Sequence, residues 1–459
     1  MCESSNTGAI TCIKKAGGVE RRRFKGNPDF RHRSQIPGPE IEEVETKLYE
    51  LLDPSLMAPR QMERRDPNDP DRPIRMRSRV LTLPVMMAII VGLVFRRIPS
   101  LAEVQRVLGR DGLLWVDPIK ISIQAINRRL DTMPAAIVGE VFQEVCDRLK
   151  ALPSREIPDR WNHLKGVFPS VLVVDGSTLE GLRKKTKELR NEQGAVQGGK
   201  IAVMVEAFGL RPVWQSYIEE WTANDKRFSQ DILSAVPDGG LVVYDLGFFS
   251  FPWFDKFTDQ GKYFVTRLRE KTAYKVVRLL SEGPLYRDQI VEVGLYRSNP
   301  CRHQLRLVEV LWGKRWYRYL TNVLDPEMLS ARDVCDLYRT RWRIEDAFGL
   351  TKRLLDLAYL WSGSQNAVQL QVYATLIFYG VLIEVCQQVA DVLRQPLERI
   401  SVEMVFRGFY HYSRAFQKGE TQDLVSFMVQ HSDLLGIVKR KRKSHKEAER
   451  RAALIWGDA

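Results

Sequence analysis

At 459 residues and 44% hydrophobic content, the chain is long enough for two or three domains and can fill a sizeable core. Its formal net charge of +13 favours a polyanionic partner, either nucleic acid or an acidic membrane surface, and does not choose between them. Six scattered Cys without a Cys-x-x-Cys pair or a secretory leader indicate neither a disulfide framework nor a zinc module, and six His without a spaced cluster argue against a zinc hydrolase. A reducing, cytoplasmic compartment is the simplest fit.

Residues 1 to about 40 combine Gly, Ser and Pro with Lys14, Lys15 and Arg21 to Arg23, and read as a flexible basic arm. Ile41 to Leu52 is a candidate short helix, and Arg64 to Pro73 a charged, Pro-rich linker. The apolar run Val80 to Phe95 is shorter than the roughly 20 residues that cross a bilayer, and Thr82, Pro84 and Gly92 interrupt it. Basic residues at both ends remove any orientation bias, so a buried helix is expected and no membrane contact. From Met76 to Leu152, apolar residues at helical spacing (Leu101, Val104, Leu108; Ile137, Val141, Val145) predict a helical domain. Ser100 and Glu103 have the spacing of an N-cap and its N3 partner. A bundle of this kind could read DNA ends, or be purely structural or dimerising.

Two short apolar runs end alike: Val-Leu-Val-Val-Asp175-Gly and Leu-Val-Val-Tyr-Asp245-Leu-Gly. Continuous β-branched runs bounded by Gly predict strands buried on both faces, with each Asp at a carboxyl end. As parallel neighbours about 4.8 Å apart, such strands would bring two carboxylates close enough to share a divalent cation. Each Asp taken singly also fits a turn after a strand. Between them, Lys200 to Glu206 and Pro212 to Glu219 read as strands joined by a turn at Gly209 to Arg211, and the Lys-rich stretch from Gly181 to Lys200 as a solvated loop. After a helix at Pro252 to Gln260, Tyr263 to Arg269 is a fifth strand whose Thr266, Arg267 and Arg269 could line a backbone groove. Alternating runs at Ile290 to Tyr296, Gln304 to Trp312 and Arg315 to Thr321 predict a β-rich insertion.

The segment Tyr338-Arg-Thr-Arg-Trp-Arg-Ile-Glu-Asp-Ala-Phe-Gly-Leu-Thr-Lys352 follows. At about 100° per residue, Tyr338, Arg341, Glu345 and Lys352 fall within an arc of roughly 60° on one helix face. Leu337, Ile344 and Phe348 border that arc, and Arg339, Arg343, Asp346 and Arg353 lie opposite. A carboxylate so near a packed face needs a cation, so Glu345 holds a metal ion or pairs with Arg341. Farther on, Val368 to Leu393 is an apolar helix with a lone Glu384 read as an edge residue, and Lys439 to Lys443 is a basic tail.

Asp175-Gly-Ser-Thr, Asp245-Leu-Gly-Phe and the Tyr-x2-Arg-x3-Glu-x6-Lys helix together resemble the signature of DDE transposases of the insertion-sequence-four family, over roughly residues 165 to 385. The resemblance implies a ribonuclease-H-like core in which Asp175, Asp245 and Glu345 bind metal, two Mg²⁺ ions with Mn²⁺ able to substitute, for phosphoryl transfer. It also implies that Tyr338, Arg341 and Lys352 contact DNA near the transposon end. In cut-and-paste relatives an aromatic residue of the insertion stacks on a flipped base; Tyr317 stands at that position with Trp316 beside it, where the family pattern has Trp. An ordinary strand aromatic fits Tyr317 equally well.

The expected class is therefore α/β: a ribonuclease-H-like mixed sheet core with a β-rich insertion, preceded by a helical domain. The expected layout is an arm and linker at 1–75, a helical DNA-binding domain at 76–155, a catalytic domain at 165–385 with its insertion at about 270–325, and C-terminal helices with a basic tail at 386–459. The implied function is a DNA transposase that binds the terminal inverted repeats of an insertion sequence, then cleaves and transfers strands, as a homodimer on double-stranded DNA at the nucleoid. The alternatives are a nuclease of the same fold without strand transfer and a non-catalytic, transposase-derived DNA-binding protein.

Overall fold

The computed structural model of the protein describes residues 37–65, 73–76, 79–152, 159–179, 199–220, 222–344, 364–440 and 452–456. Most of the expected basic arm, the Lys-rich stretch and the greater part of the basic tail lie outside the described residues, as do Glu345 and Lys352. The structure opens with a helix at Glu42–Leu52, which buries Val44, Leu48 and Leu52 at helical spacing. The expected linker carries two short strands, β1 (Glu63–Arg65) and β2 (Pro73–Arg75), paired antiparallel.

Four helices of ten or more residues follow: Leu83–Phe95, Leu101–Arg110, Ile123–Thr132 and Ala135–Ala151. Leu83–Phe95 is apolar on every face and is buried nearly throughout, as expected for the run at Val80 to Phe95. Ser100 caps its helix by accepting a hydrogen bond from the Glu103 N–H at 3.2 Å. Both Leu83–Phe95 and Ala135–Ala151 pack on a 28-residue helix, Gln365–Val392. Close approach there depends on small residues. A Cβ on Gly380 would stand 2.7 Å from Leu149, and one on Gly139 would stand 2.7 Å from the Tyr373 hydroxyl. The Gln365–Val392 helix is long and apolar enough to cross a membrane, but 89% of its apolar window is buried inside the protein.

The sheet is built from β3 (Val171–Thr178), β4 (Lys200–Glu206), β5 (Pro212–Ile218), β6 (Leu241–Val243), β7 (Tyr263–Arg267), β8 (Tyr274–Gly283), β9 (Tyr286–Val293), β10 (Leu305–Trp312) and β11 (Arg315–Thr321). Their order is β5-β4-β3-β6-β7-β11-β10-β9-β8. The first three strands form an antiparallel meander, β6 and β7 run parallel to β3, and the insertion strands β8 to β11 extend the same sheet antiparallel from β7. Because successive strand residues face opposite sides, the sheet has two cores. Val173, Val203, Val243 and Val265 pack toward the long helix, whereas Leu172, Val174, Val242 and Tyr244 pack against the helices Ser229–Ala235 and Phe251–Asp259.

β8 had no counterpart in the sequence reading. It is an edge strand with Val276, Val277 and Leu279 exposed, and its pairing with β9 carries two register irregularities, which blunt an open edge.

Buried charge locks the layers. Glu384, expected at an edge, is 5% exposed and receives bonds from Arg211 Nε at 2.7 Å and Nη2 at 3.3 Å. The physical reason is tertiary, since Arg211 arrives from the β4–β5 turn and neutralises a carboxylate that the apolar helix alone would leave unpaired. Arg306 is fully buried, with its fork on Asp288 (2.8 and 2.6 Å) and Nη1 on the Leu329 carbonyl (2.6 Å). Removing one partner of such a pair leaves an uncompensated charge. Glu384→Ala should lower unfolding free energy by about 3–5 kcal/mol, while the double change Arg211→Met with Glu384→Met should recover most of the loss in urea denaturation. Equal losses in the single and double variants would show that packing, not charge, accounts for the effect.

Candidate active site

The in-register pairing of β3 with β6 brings the two acidic strand ends together. Val173 faces Val243 across the parallel pair, so Asp175 and Asp245 each lie two residues beyond matched positions on strands about 4.8 Å apart. The pleat turns Asp175 to the face of Val173, the side on which Leu337, Tyr338 and Ile344 pack. Both carboxylates are held by the chain that follows. Gly176 N–H donates to Asp175 Oδ1 at 3.0 Å, and Gly247 N–H donates to Asp245 Oδ1 at 2.8 Å, where Asp245 caps the turn Leu246–Phe248.

The helix Ala331–Thr340 delivers Tyr338 and Arg341 to these strand ends. Its start is fixed by a reciprocal cap between Ser330 and Asp333, and by Arg306 on the preceding Leu329 carbonyl. The backbone tightens at Arg341: the Arg341 N–H reaches the Tyr338 carbonyl and the Ile344 N–H reaches the Arg341 carbonyl, each three residues back. Tyr338 and Arg341 nonetheless share the expected face, and both are 6% exposed. Arg341 Nη1 stands 3.9 Å from Asp175 Oδ2, with its guanidinium against the rings of Tyr338 (5.6 Å) and Trp342 (5.1 Å). Burial raises the Tyr338 phenol above its ordinary range, Arg341 and Arg267 oppose this, and Asp245 adds to it, so the hydroxyl stays protonated at neutral pH.

Arg339, which helical periodicity places opposite that face, instead borders the same cavity as Tyr338 and Arg341, with its guanidinium 5.3 Å from the Trp312 ring, whereas Arg343 turns back toward the sheet. Its guanidinium donates to the carbonyls of Ala207 (3.1 Å) and Phe208 (3.3 Å) beyond β4, a contact that helical periodicity cannot reveal.

Beside the strand ends, between the Tyr338 helix and the insertion strands, is a cavity of about 470 Å³ lined by Arg267, Tyr317, Tyr319, Tyr338, Arg341 and Trp456, among others. Tyr317 faces it with Arg267 5.9 Å from its ring. Trp316, one residue earlier on β11, does not line it; it stands 38% exposed against Arg287. Of the three side chains expected along a groove, only Arg267 reaches the cavity. Thr266 is fully buried, and Arg269 lies over Phe249 while bonding the Leu246 carbonyl. The sequence reading missed Asp225, Lys200, Trp312 and Trp456 as neighbours of this region, since none belongs to a motif.

Asp175 and Asp245 offer only carboxylate oxygens, a donor set that suits a hard divalent cation. Among the described residues no set of three His, Cys, Asp or Glu side chains is arranged to hold a metal, and Glu345, the third expected ligand, lies outside them.

An antiparallel meander continued by two parallel strands, with acids at the ends of the central pair, defines the ribonuclease-H-like class. Residues 166–380 match the model of the transposase DDE domain. The chain is 26% identical over 196 residues to the transposase relative y4zB of Sinorhizobium fredii (strain NBRC 101917 / NGR234), covering 41% of this chain and 54% of that protein. It is 24% identical over 280 residues to the transposase for insertion sequence element IS231B of Bacillus thuringiensis subsp. berliner, covering 49% and 58%. The chain thus spans about half the length of these curated relatives. A solved structure of the piggyBac transposase synaptic complex with hairpin DNA matches over 89% of both chains, at 11% identity and a TM-score of 0.40. Over residues 166–380 the chain is thus similar to the DDE domain of transposases, and the curated relatives it matches include transposases of insertion sequence elements.

Arg343→Ala should cost about 1.5–3 kcal/mol, the range for hydrogen bonds to a charged group, read as a lower urea midpoint. An unchanged midpoint would mean that its carbonyl contacts contribute nothing.

Proposed function

We propose that the chain is a DNA transposase that binds the terminal inverted repeats of an insertion sequence and carries out metal-dependent cleavage and strand transfer. The observation that supports this most is the register of β3 against β6, with two carboxylates at adjoining strand ends beside a buried arginine. The relatives' own names, transposases of insertion elements, support the same class of reaction, and a net charge of +13 suits a phosphate backbone.

In this reading Asp175, Asp245 and Glu345 hold two Mg²⁺ ions, and Mn²⁺ can substitute. When bound, the ions activate the attacking oxygen and stabilise the leaving oxygen of a phosphodiester. Arg341, buried and facing Asp175, neutralises and positions the scissile strand, and Lys352 adds a second cation. Tyr338, kept protonated, donates a hydrogen bond to a phosphate oxygen. The cavity at Tyr317 accepts an unpaired base, with Arg267 behind the ring; Trp316, turned to the other side of β11, is assigned to the outer DNA surface. Residues 76–155 form the reader of the DNA ends, residues 1–75 and 386–459 supply flanking contacts, and two copies bridge the two ends of the element.

Asp175→Asn, Asp245→Asn and Glu345→Gln should each reduce cleavage by at least about a thousandfold while leaving binding to an inverted-repeat duplex within about threefold. Undiminished cutting by any one variant removes that residue from the site, and cleavage without joined products would identify a nuclease. Separately, Tyr317→Ala should weaken binding of an end with one unpaired base by about 5- to 100-fold, as expected for loss of one base-stacking contact, with Trp316→Ala changing it less than about twofold. Equal effects of the two would reject Tyr317 as the stacking residue.

A further inference from the structure

Between the two acidic strand ends lies a third carboxylate that belongs to neither motif. Asp225 opens the short turn Asp225–Phe228, which Asn224 caps by accepting from the Lys226 N–H at 3.1 Å. A Cβ added at Gly176 would fall 2.5 Å from Asp225 Oδ1, and one at Gly247 would collide with Asp225 Oδ2. The Asp225 carboxylate therefore fills the space that side chains at both glycines would need. Those are the same two residues whose N–H groups hold Asp175 and Asp245.

Lys200, the first residue of β4, fixes this wedge. Its Nζ lies 2.7 Å from Asp225 Oδ1 and also donates to the Ala223 carbonyl at 2.8 Å, with the two side chains 14% and 23% exposed. Carboxylates brought to neighbouring backbone positions repel one another, and here Lys200 pairs with Asp225 while Arg341 stands 3.9 Å from Asp175.

We propose that Asp225, held by Lys200, is a positioning residue for the divalent ion: it sits between the backbones at Gly176 and Gly247 and sets the separation and orientation of Asp175 and Asp245. This rests on the reading of those two residues as ion ligands. Outer carboxylates that orient ligands typically change metal affinity by about 10- to 100-fold when removed. Mg²⁺ demands near-ideal octahedral geometry, so misplacement of the ligands should weaken Mg²⁺ more than Mn²⁺.

The test is Mn²⁺ binding to the full chain, followed by electron paramagnetic resonance of the free ion, with Mg²⁺ as competitor and thermal melting as a check on folding. Asp225→Asn keeps the volume and loses the charge; Lys200→Met keeps the carboxylate and loses its holder. Both should weaken Mn²⁺ binding about tenfold or more, weaken Mg²⁺ competition further, and shift the melting temperature little. Unchanged affinity for both ions, or a lowered melting temperature with affinity intact, overturns the proposal and leaves a merely structural Asp225. Asp175→Asn separates the two levels: if it abolishes Mn²⁺ binding while the Asp225 and Lys200 variants bind normally, the positioning role alone fails. If Asp175→Asn binds Mn²⁺ like the unaltered chain, the ligand reading fails and the positioning role falls with it.

Discussion

Parallel pairing of β3 with β6 is the constraint on which the remainder of the site depends. Hydrogen bonding from Val171 opposite Leu241 to Val173 opposite Val243 fixes which residues emerge together at the carboxyl ends, and those residues are Asp175 and Asp245. A slip of one residue would turn one carboxylate into the opposite core, among Tyr244, Trp253 and Phe254, where a charge has no partner. Burial on both faces of the sheet therefore specifies this register through the cost of a slip.

The same demand for paired charge organises the surroundings. The long helix Gln365–Val392 is apolar enough to slide or rotate against its neighbours, and its Glu384 pins it to the β4–β5 turn through Arg211. Arg306 does the equivalent at the insertion, joining Asp288 on β9 to the Leu329 carbonyl just before the helix that carries Tyr338 and Arg341. Buried ion pairs of this kind contribute little net stability, yet they penalise misplacement heavily. Arg343, reaching the Ala207 and Phe208 carbonyls, ties the other end of the Tyr338 segment to the edge of the meander.

Elements whose cause is local were legible. Leu83–Phe95 follows from an uninterrupted apolar composition, the helix at Leu101 from the Ser100 cap, and the strands β3, β4, β10 and β11 from β-branched or alternating runs. β8 was not legible, because an edge strand with Val276 and Val277 both exposed has no clear alternation. Resemblance put Tyr317 at the aromatic position with Trp316 beside it, and only the pleat of β11 separates them, one turned to the cavity and the other to Arg287. The partners of Glu384 and Arg343 were not legible for one reason: each is satisfied by a group more than a hundred positions away.

By itself, the sequence determined the strand-end acids, the helix motif with Tyr338 and Arg341, and the class of protein they indicate. These are short-range patterns, set by side-chain periodicity and turn chemistry within about fifteen residues. The tertiary structure alone decided that Asp175 and Asp245 share a register, that Arg341 turns toward Asp175, and that Asp225, paired with Lys200, stands against Gly176 and Gly247. Such contacts join segments whose separation in the chain carries no periodic signal. They exist because a buried charge must find its partner wherever the fold places one.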